Sequence, residues 1–146
     1  MPVPAVVSLV TLGVTDLARS TAFYQALGWL LSSSSVAGEV SFFRTAGPIL
    51  SLYPHHLLAS DSNQTPVPIG AGYHGCALAI NVASEAEVDT ILAEAGKAGA
   101  TILKPAQATD WGGYSGYFAD PDGHAFEVAH NPYWPIGADG LPILAE

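Results

Sequence analysis

The sequence predicts an α+β domain made of two copies of one unit, a strand, a helix and three further strands. Three observations carry this. A β-branched run followed by a capped amphipathic helix occurs twice along the chain. The two occurrences keep register: Val14 and Val82 are 68 residues apart, as are Asp16 and Ser84, while Gly47 and Gly123 are 76 apart, as are Leu52 and Val128. Between them lies a polar stretch, Ser60 to Gly72, with two prolines and many small residues, which reads as a linker.

The first unit begins at Val6 to Val14, whose β-branched content suits a strand. Asp16 then precedes a helix carrying Leu17, Phe23, Tyr24 and Leu27 on one face; its carboxylate can accept the free amides of the first turn, and Gly28 ends the helix. Strands are expected at Trp29 to Ser33, Glu39 to Arg44 and Ile49 to Tyr53. The second unit opens with Gly75 to Val82. Ser84 and Glu87 form a capping-box signal for a helix with Val88, Ile91, Leu92, Ala95 and Ala98 as its apolar stripe. Strands follow at Thr101 to Leu103, Tyr114 to Ala119 and Ala125 to Ala129, the last two joined by a tight Asp-Pro-Asp-Gly turn. The modules are thus expected over about 5–59 and 73–131, with a linker over 60–72 and a Pro-rich tail over 132–146 docked through Tyr133 and Trp134.

Composition narrows the function. The chain has 146 residues, 49% apolar and 12% charged, which is a folding composition. Its formal net charge of −9 and four scattered cations argue against nucleic acid and anionic membranes as partners. No run approaches the length of a membrane helix and no signal peptide is apparent, so a cytoplasmic location is expected. A single cysteine, Cys76, allows neither an intrachain disulfide nor a thiolate cluster.

Strand parity sorts the candidate site residues. Val10, Leu12 and Val14 suit the helix-facing side of the first strand, leaving Leu9, Thr11 and Gly13 for the other face. The same rule assigns Ser51, Ala77, Ala79, Asn81, Ala125 and Glu127 to a pocket side, and buries Cys76 against the helix.

The segments Val10-Thr11-Leu12-Gly13-Val14-Thr15-Asp16-Leu17 through Phe23-Tyr24, and Gly116-Tyr117-Phe118-Ala119-Asp120-Pro121-Asp122-Gly123-His124 through Glu127, resemble the opening and closing motifs of vicinal oxygen chelate proteins. These comprise the glyoxalase I, bleomycin-resistance and extradiol dioxygenase families. The resemblance covers roughly residues 6 to 131, and Trp111-Gly112-Gly113-Tyr114 through His130-Asn131-Pro132 is similar to a large bacterial subgroup. It implies two βαβββ modules with mixed sheets curling around a pocket, and a homodimer. It also implies a divalent ion, Ni, Zn, Mn or Fe, on four side chains, as in glyoxalase-like lyases and isomerases or dioxygenases.

By the resemblance those four positions are Leu9, Ser51, Ala77 and Glu127. Leu and Ala have no donor atom and a serine hydroxyl is a weak ligand, so no metal cofactor is expected; Glu127 with His74 is the alternative. The remaining histidines lack metal spacing: His55 and His56 read as a solvated loop pair, His124 belongs to a turn and His130 has the opposite parity to Glu127. Glu127, surrounded by small or apolar residues, becomes the candidate general base or ligand anchor. Leu9, Thr11, Ser51 and Ala77 are expected to line the pocket with it, and Trp111 and Tyr114 to stack on a flat ligand, as Tyr117 also could. Asp120 and Asp122 read as turn formers, and Asp110 as solvated. The expected protein binds a small molecule, as a binder or an atypical enzyme. The alternatives are a metal-dependent lyase, isomerase or dioxygenase, or an acidic protein that sequesters a cationic drug.

Overall fold

The computed structural model describes residues 2–70 and 72–146; Met1 and Ala71, the latter within the expected linker, lie outside the described residues. Strand β1 (Leu9–Val14), helix α1 (Leu17–Ala26), β2 (Ser41–Phe43) and β3 (Ile49–Pro54) form the first module. Helix α2 (His55–Asp61) leads out of it. Strand β4 (Ala77–Asn81), helix α3 (Glu85–Lys97), β5 (Thr101–Ala108), β6 (Tyr114–Ala119) and β7 (Ala125–His130) form the second. The sheet orders are β1-β3-β2 and β4-β7-β6-β5. In each sheet the module's first strand runs parallel to its last, and the other pairings are antiparallel. The α+β plan of paired βαβββ units is therefore as the repeat arithmetic predicts.

The helix signals act as read. The Asp16 carboxylate accepts the Arg19 amide at 3.0 Å, and Gly28, at φ +90°, follows the last turn. Ser84 Oγ accepts the Glu87 amide at 3.2 Å, the N-cap half of the box, and donates to Glu87 Oε2 at 3.0 Å.

Three local expectations are corrected. The strand expected at Trp29 to Ser33 is reduced to a single bridge, Leu31 to Phe43. Ser32 to Ser35 use their hydroxyls locally: Ser32 Oγ accepts the Ser34 amide at 3.1 Å and Ser35 Oγ the Phe42 amide at 2.9 Å. Such bonds compete with a sheet ladder. His55 and His56 open α2 instead of sitting in a loop, and that helix runs into the expected linker. Cys76 is exposed, because β4 begins one residue later and Gly75 turns the backbone at φ +84°, so strand parity does not reach it.

One hydrophobic core serves both modules. Leu12, Leu52, Phe43, Phe23 and Tyr24 from the first pack with Val88, Phe118, Phe126 and Val128 from the second. Phe118 and Phe126 stack at 5.0 Å, Tyr24 stands 6.1 Å from Phe126, and Phe23 lies 6.5 Å from Phe118. Burying a side chain of this kind stabilises the fold by about 1.5–3 kcal/mol.

The Asp120–Gly123 turn does more than reverse the chain. Asp120 accepts the amides of Asp122 and His124 at 3.0 and 2.9 Å, as a turn former would. It also accepts the buried Tyr24 hydroxyl at 2.7 Å. Asp122 accepts the Thr15 amide and hydroxyl at 2.9 and 2.8 Å and the Ser20 hydroxyl at 2.8 Å, with the Arg19 guanidinium at 3.5 Å. Burial alone would raise the Asp122 carboxyl; the hydrogen bonds from Thr15 and Ser20 and the Arg19 charge outweigh it and hold the group below its ordinary value. Burial, with the charge and hydrogen bond of Asp120, pushes the Tyr24 phenol up, so it remains a donor. His124 Nε2 bonds the Gly13 carbonyl at 2.8 Å. The second module's last turn thus fastens the first module's helix.

Candidate functional site

Each sheet has a back face on the shared core and a front face turned away from it. On the second sheet the register aligns one row across four strands: Ala79 opposite Glu127, Glu127 opposite Tyr117, and Tyr117 opposite Lys104. Residues directly opposite share a face. In this row the Tyr117 hydroxyl donates to Glu127 Oε2 at 3.0 Å. Both side chains are half-buried. Burial, then the hydrogen bond to Glu127 and its charge, raises the Tyr117 phenol. It therefore stays protonated and donating at neutral pH, and Glu127 Oε1 is left without a hydrogen-bond partner among the described residues.

The first sheet brings Thr11 opposite Ser51, with Leu9 opposite Ile49. Leu9 (46% exposed), Thr11, Ala77 and Ala79 all meet solvent, whereas Ser51 is buried. The front faces are thus open in the single chain. Leu9 and Ala77 each lie one alternate position along from the residues that face Ser51 and Glu127, namely Thr11 and Ala79.

Tyr114 is not brought to this face. Tyr114 pairs with His130 on the back side of the sheet, and its hydroxyl donates to Asp89 of α3 at 2.7 Å. Trp111 sits in the loop before β6 and lies over Gly113, where any Cβ would meet its ring. Tyr117 is the partner that sequence reasoning left among the possible stacking residues. The β6–β7 register, in which each lies five residues from Asp122, sets Tyr117 and Glu127 opposite each other.

A cavity of about 660 Å³ adjoins the row. Ala125 and Ala119 line it, the next front-face residues beyond Glu127 and Tyr117, together with Leu103 and with Tyr73 and His74 from the segment before β4. Glu127 itself is outside its wall. His74 stands edge-on to His124, ring centroids 5.3 Å apart, and approaches the Gly70 carbonyl at 3.4 Å.

Two modules of one plan, the second βαβββ and the first with its second strand reduced to a bridge, each with its first strand beside its last and one open sheet face, define the paired-module class of protein. The chain belongs to the Glyoxalase/Bleomycin resistance protein/Dioxygenase superfamily, whose model matches residues 6–128. It is similar to the crystal structure of a glyoxalase-related enzyme from Fulvimarina pelagi, at 38% identity and a TM-score of 0.86, covering 98% of this chain and 100% of that one. It shares its fold with a glyoxalase/bleomycin resistance protein/dioxygenase family enzyme from Burkholderia phytofirmans (22% identity, TM-score 0.72, 86% and 98% covered). The same holds for a lactoylglutathione lyase from Agrobacterium tumefaciens (24%, TM-score 0.68, 90% and 97%). No curated protein matches the chain.

The four positions to which the resemblance assigns a divalent ion offer few donor atoms. Leu9 and Ala77 offer no donor, Ser51 a neutral hydroxyl, and Glu127 is already bonded to Tyr117. Among the described residues no three His, Cys, Asp or Glu side chains are grouped to hold an ion. His74 lines the neighbouring cavity and Glu127 does not, so the alternative pair gains no third ligand. Among the described residues no helix is long and apolar enough to cross a membrane.

Proposed function

We propose that this protein binds a small organic molecule on the front face of its sheets without a resident metal, with the Glu127–Tyr117 pair as the polar contact. The observation that carries the reading is that pair: one carboxylate oxygen held by a phenol that stays protonated, the other free, beside Ala79 on the front face of the second sheet. Such a carboxylate accepts a hydrogen bond or a proton from a ligand carrying an amine, a hydroxyl or an acidic C–H. Activity, if the ligand is turned over, is proton transfer through Glu127, with Tyr117 fixing its orientation. A second copy in a homodimer would cover the exposed front-face residues and close the pocket. A cytoplasmic setting and a small-molecule partner complete the reading. A cationic ligand suits both the free carboxylate and the net charge of −9, which favours sequestration of a basic compound as the second reading.

The test is metal content by mass spectrometry on protein purified without a histidine tag, followed by thermal shift with metals and with organic ligands. Stabilisation by an organic ligand follows RT ln(1 + [L]/Kd). The reading expects that stabilisation, its loss in Glu127→Gln, and no response to Ni, Zn, Mn or Fe(II). One ion per chain with a metal-dependent shift would overturn it and favour a metal-dependent lyase, isomerase or dioxygenase.

A further inference from the structure

The front face does not account for the second cavity of the molecule. On the opposite side, between the two modules, lies a cavity of about 450 Å³. Its walls are mainly back-face residues of both sheets, Val10 and Leu50 from the first and Leu78, Ile80 and Phe126 from the second, with Trp29; Ala79 and Asn81, of the opposite parity on the edge strand β4, complete them. A strap crosses it. The tail, expected to be simply extended and docked by Tyr133 and Trp134, leaves those two side chains largely exposed and folds into a hairpin instead. The Ile143 amide bonds the Pro135 carbonyl at 2.8 Å and the Gly137 amide bonds the Leu141 carbonyl at 2.9 Å. Its tip, Gly140 to Pro142, reaches from the second module to the 45–48 turn of the first, where Leu141 rests over Gly47.

The wall is unusual for this chain. None of its fifteen residues is ionisable, although the protein carries thirteen acidic side chains. The half-buried carboxamide of Asn81 faces it and has no hydrogen-bond partner among the described residues. An uncharged, largely apolar cavity of this size with one unengaged polar group has the character of a small-molecule site. A charged ligand would be desolvated there without a counter-charge.

We propose that this inter-module cavity is a second binding site, for a compact, neutral, mainly hydrocarbon molecule with one amide-, carbonyl- or phenol-like group that pairs with Asn81. The C-terminal hairpin closes over it. Glu127 is not part of its wall, and the site stands independently of that residue's role.

The test uses the full chain carrying Trp111→Phe and Trp134→Phe, so that Trp29 is the only indole, and the neutral fluorophore N-phenyl-1-naphthylamine as probe. Saturable binding at one probe per chain is expected, with Trp29 emission quenched by energy transfer. Ala46→Phe fills the cavity from its exposed rim and Ile80→Phe from the sheet; each should weaken the probe about tenfold or more, with circular dichroism unchanged. Glu127→Gln should leave probe affinity within about twofold. Absence of saturable binding overturns the proposal. So does binding that survives both filling variants or disappears in Glu127→Gln, since the probe then sits elsewhere. A fall in sedimentation mass in Ala46→Phe without probe binding to the parent chain also overturns it, and assigns the cavity to a second copy.

Discussion

Module one pairs Leu9 with Ile49 through Val14 with Pro54, and module two pairs Ala77 with Ala125 through Asn81 with Ala129. The back faces answer each other: Leu12, Leu50 and Leu52 in one, Leu78, Phe126 and Val128 in the other, all apolar and packed on the common core. The front faces do not. Module one presents Leu9, Thr11 and Ser51, and module two presents Ala77, Ala79 and the Glu127–Tyr117 pair. The back faces are bound by the need to bury one core, so both copies keep the same character. The front faces carry no such constraint, and the carboxylate–phenol pair lies on the second module.

The most severe way to break the comparison is at the shared core. Phe126 is buried, stacks on Phe118 and touches the aromatic cluster of module one through Tyr24 and Trp29. Phe126→Ala should cost about 3–5 kcal/mol, read from urea denaturation. Because the core is common, both modules should unfold in one transition. A variant that melts module two while α1 persists would show that the two units are independent.

The turn that fastens the modules comes next. Asp122→Ala leaves the Thr15 and Ser20 donors without their acceptor and should cost about 2–4 kcal/mol; Asp122→Asn, which keeps the shape and one acceptor oxygen, should cost roughly half. The pH dependence has a definite sign. The folded Asp122 carboxyl ionises below its unfolded counterpart, so its contribution is complete at neutral pH and is lost as pH falls below about 4 toward the folded value. The stability gap between the parent chain and Asp122→Asn should therefore shrink in acid. A gap that is constant from neutral pH to pH 3 would mean that the charge is not what Asp122 contributes.

Most of the fold was legible in the sequence, and the reasons are local. Asp16, Ser84 and Gly28 act within one helical turn, and the 68- and 76-residue offsets report a repeat that both copies must keep to share a core. What was missed depended on partners far away in sequence or on competing local bonds. The Trp29–Ser33 stretch reads as strand until the hydroxyls of Ser32 and Ser35 are seen taking backbone amides. Asp120 and Asp122 read as turn residues because nothing in the turn reveals Tyr24 and Ser20, 96 and 102 residues away. The site was half legible. Parity found Glu127, but assigning Tyr114 beside it required the wrong face, and the hairpin register selects Tyr117.

The smallest effect on stability should come from the residue with the largest proposed role. Glu127 is half-buried, and its one hydrogen bond comes from a half-buried phenol. Glu127→Gln keeps an acceptor for Tyr117 and removes only the charge, so the urea midpoint should move by no more than about 0.5 kcal/mol equivalent. Thr11→Ala on the open face of module one should be equally silent. The two variants should part only in ligand response: a ligand that raises the melting temperature of the parent chain should still raise that of Thr11→Ala, and should fail on Glu127→Gln. Tyr117→Phe sharpens the distinction, because it frees Glu127 without removing its charge. Retained binding there with loss in Glu127→Gln would assign recognition to the carboxylate itself. Equal loss in both would assign it to the pair, held by the register of β6 on β7. Equal response in all four proteins would place the ligand off this face, and the difference between the modules would then be one of sequence drift on an idle surface.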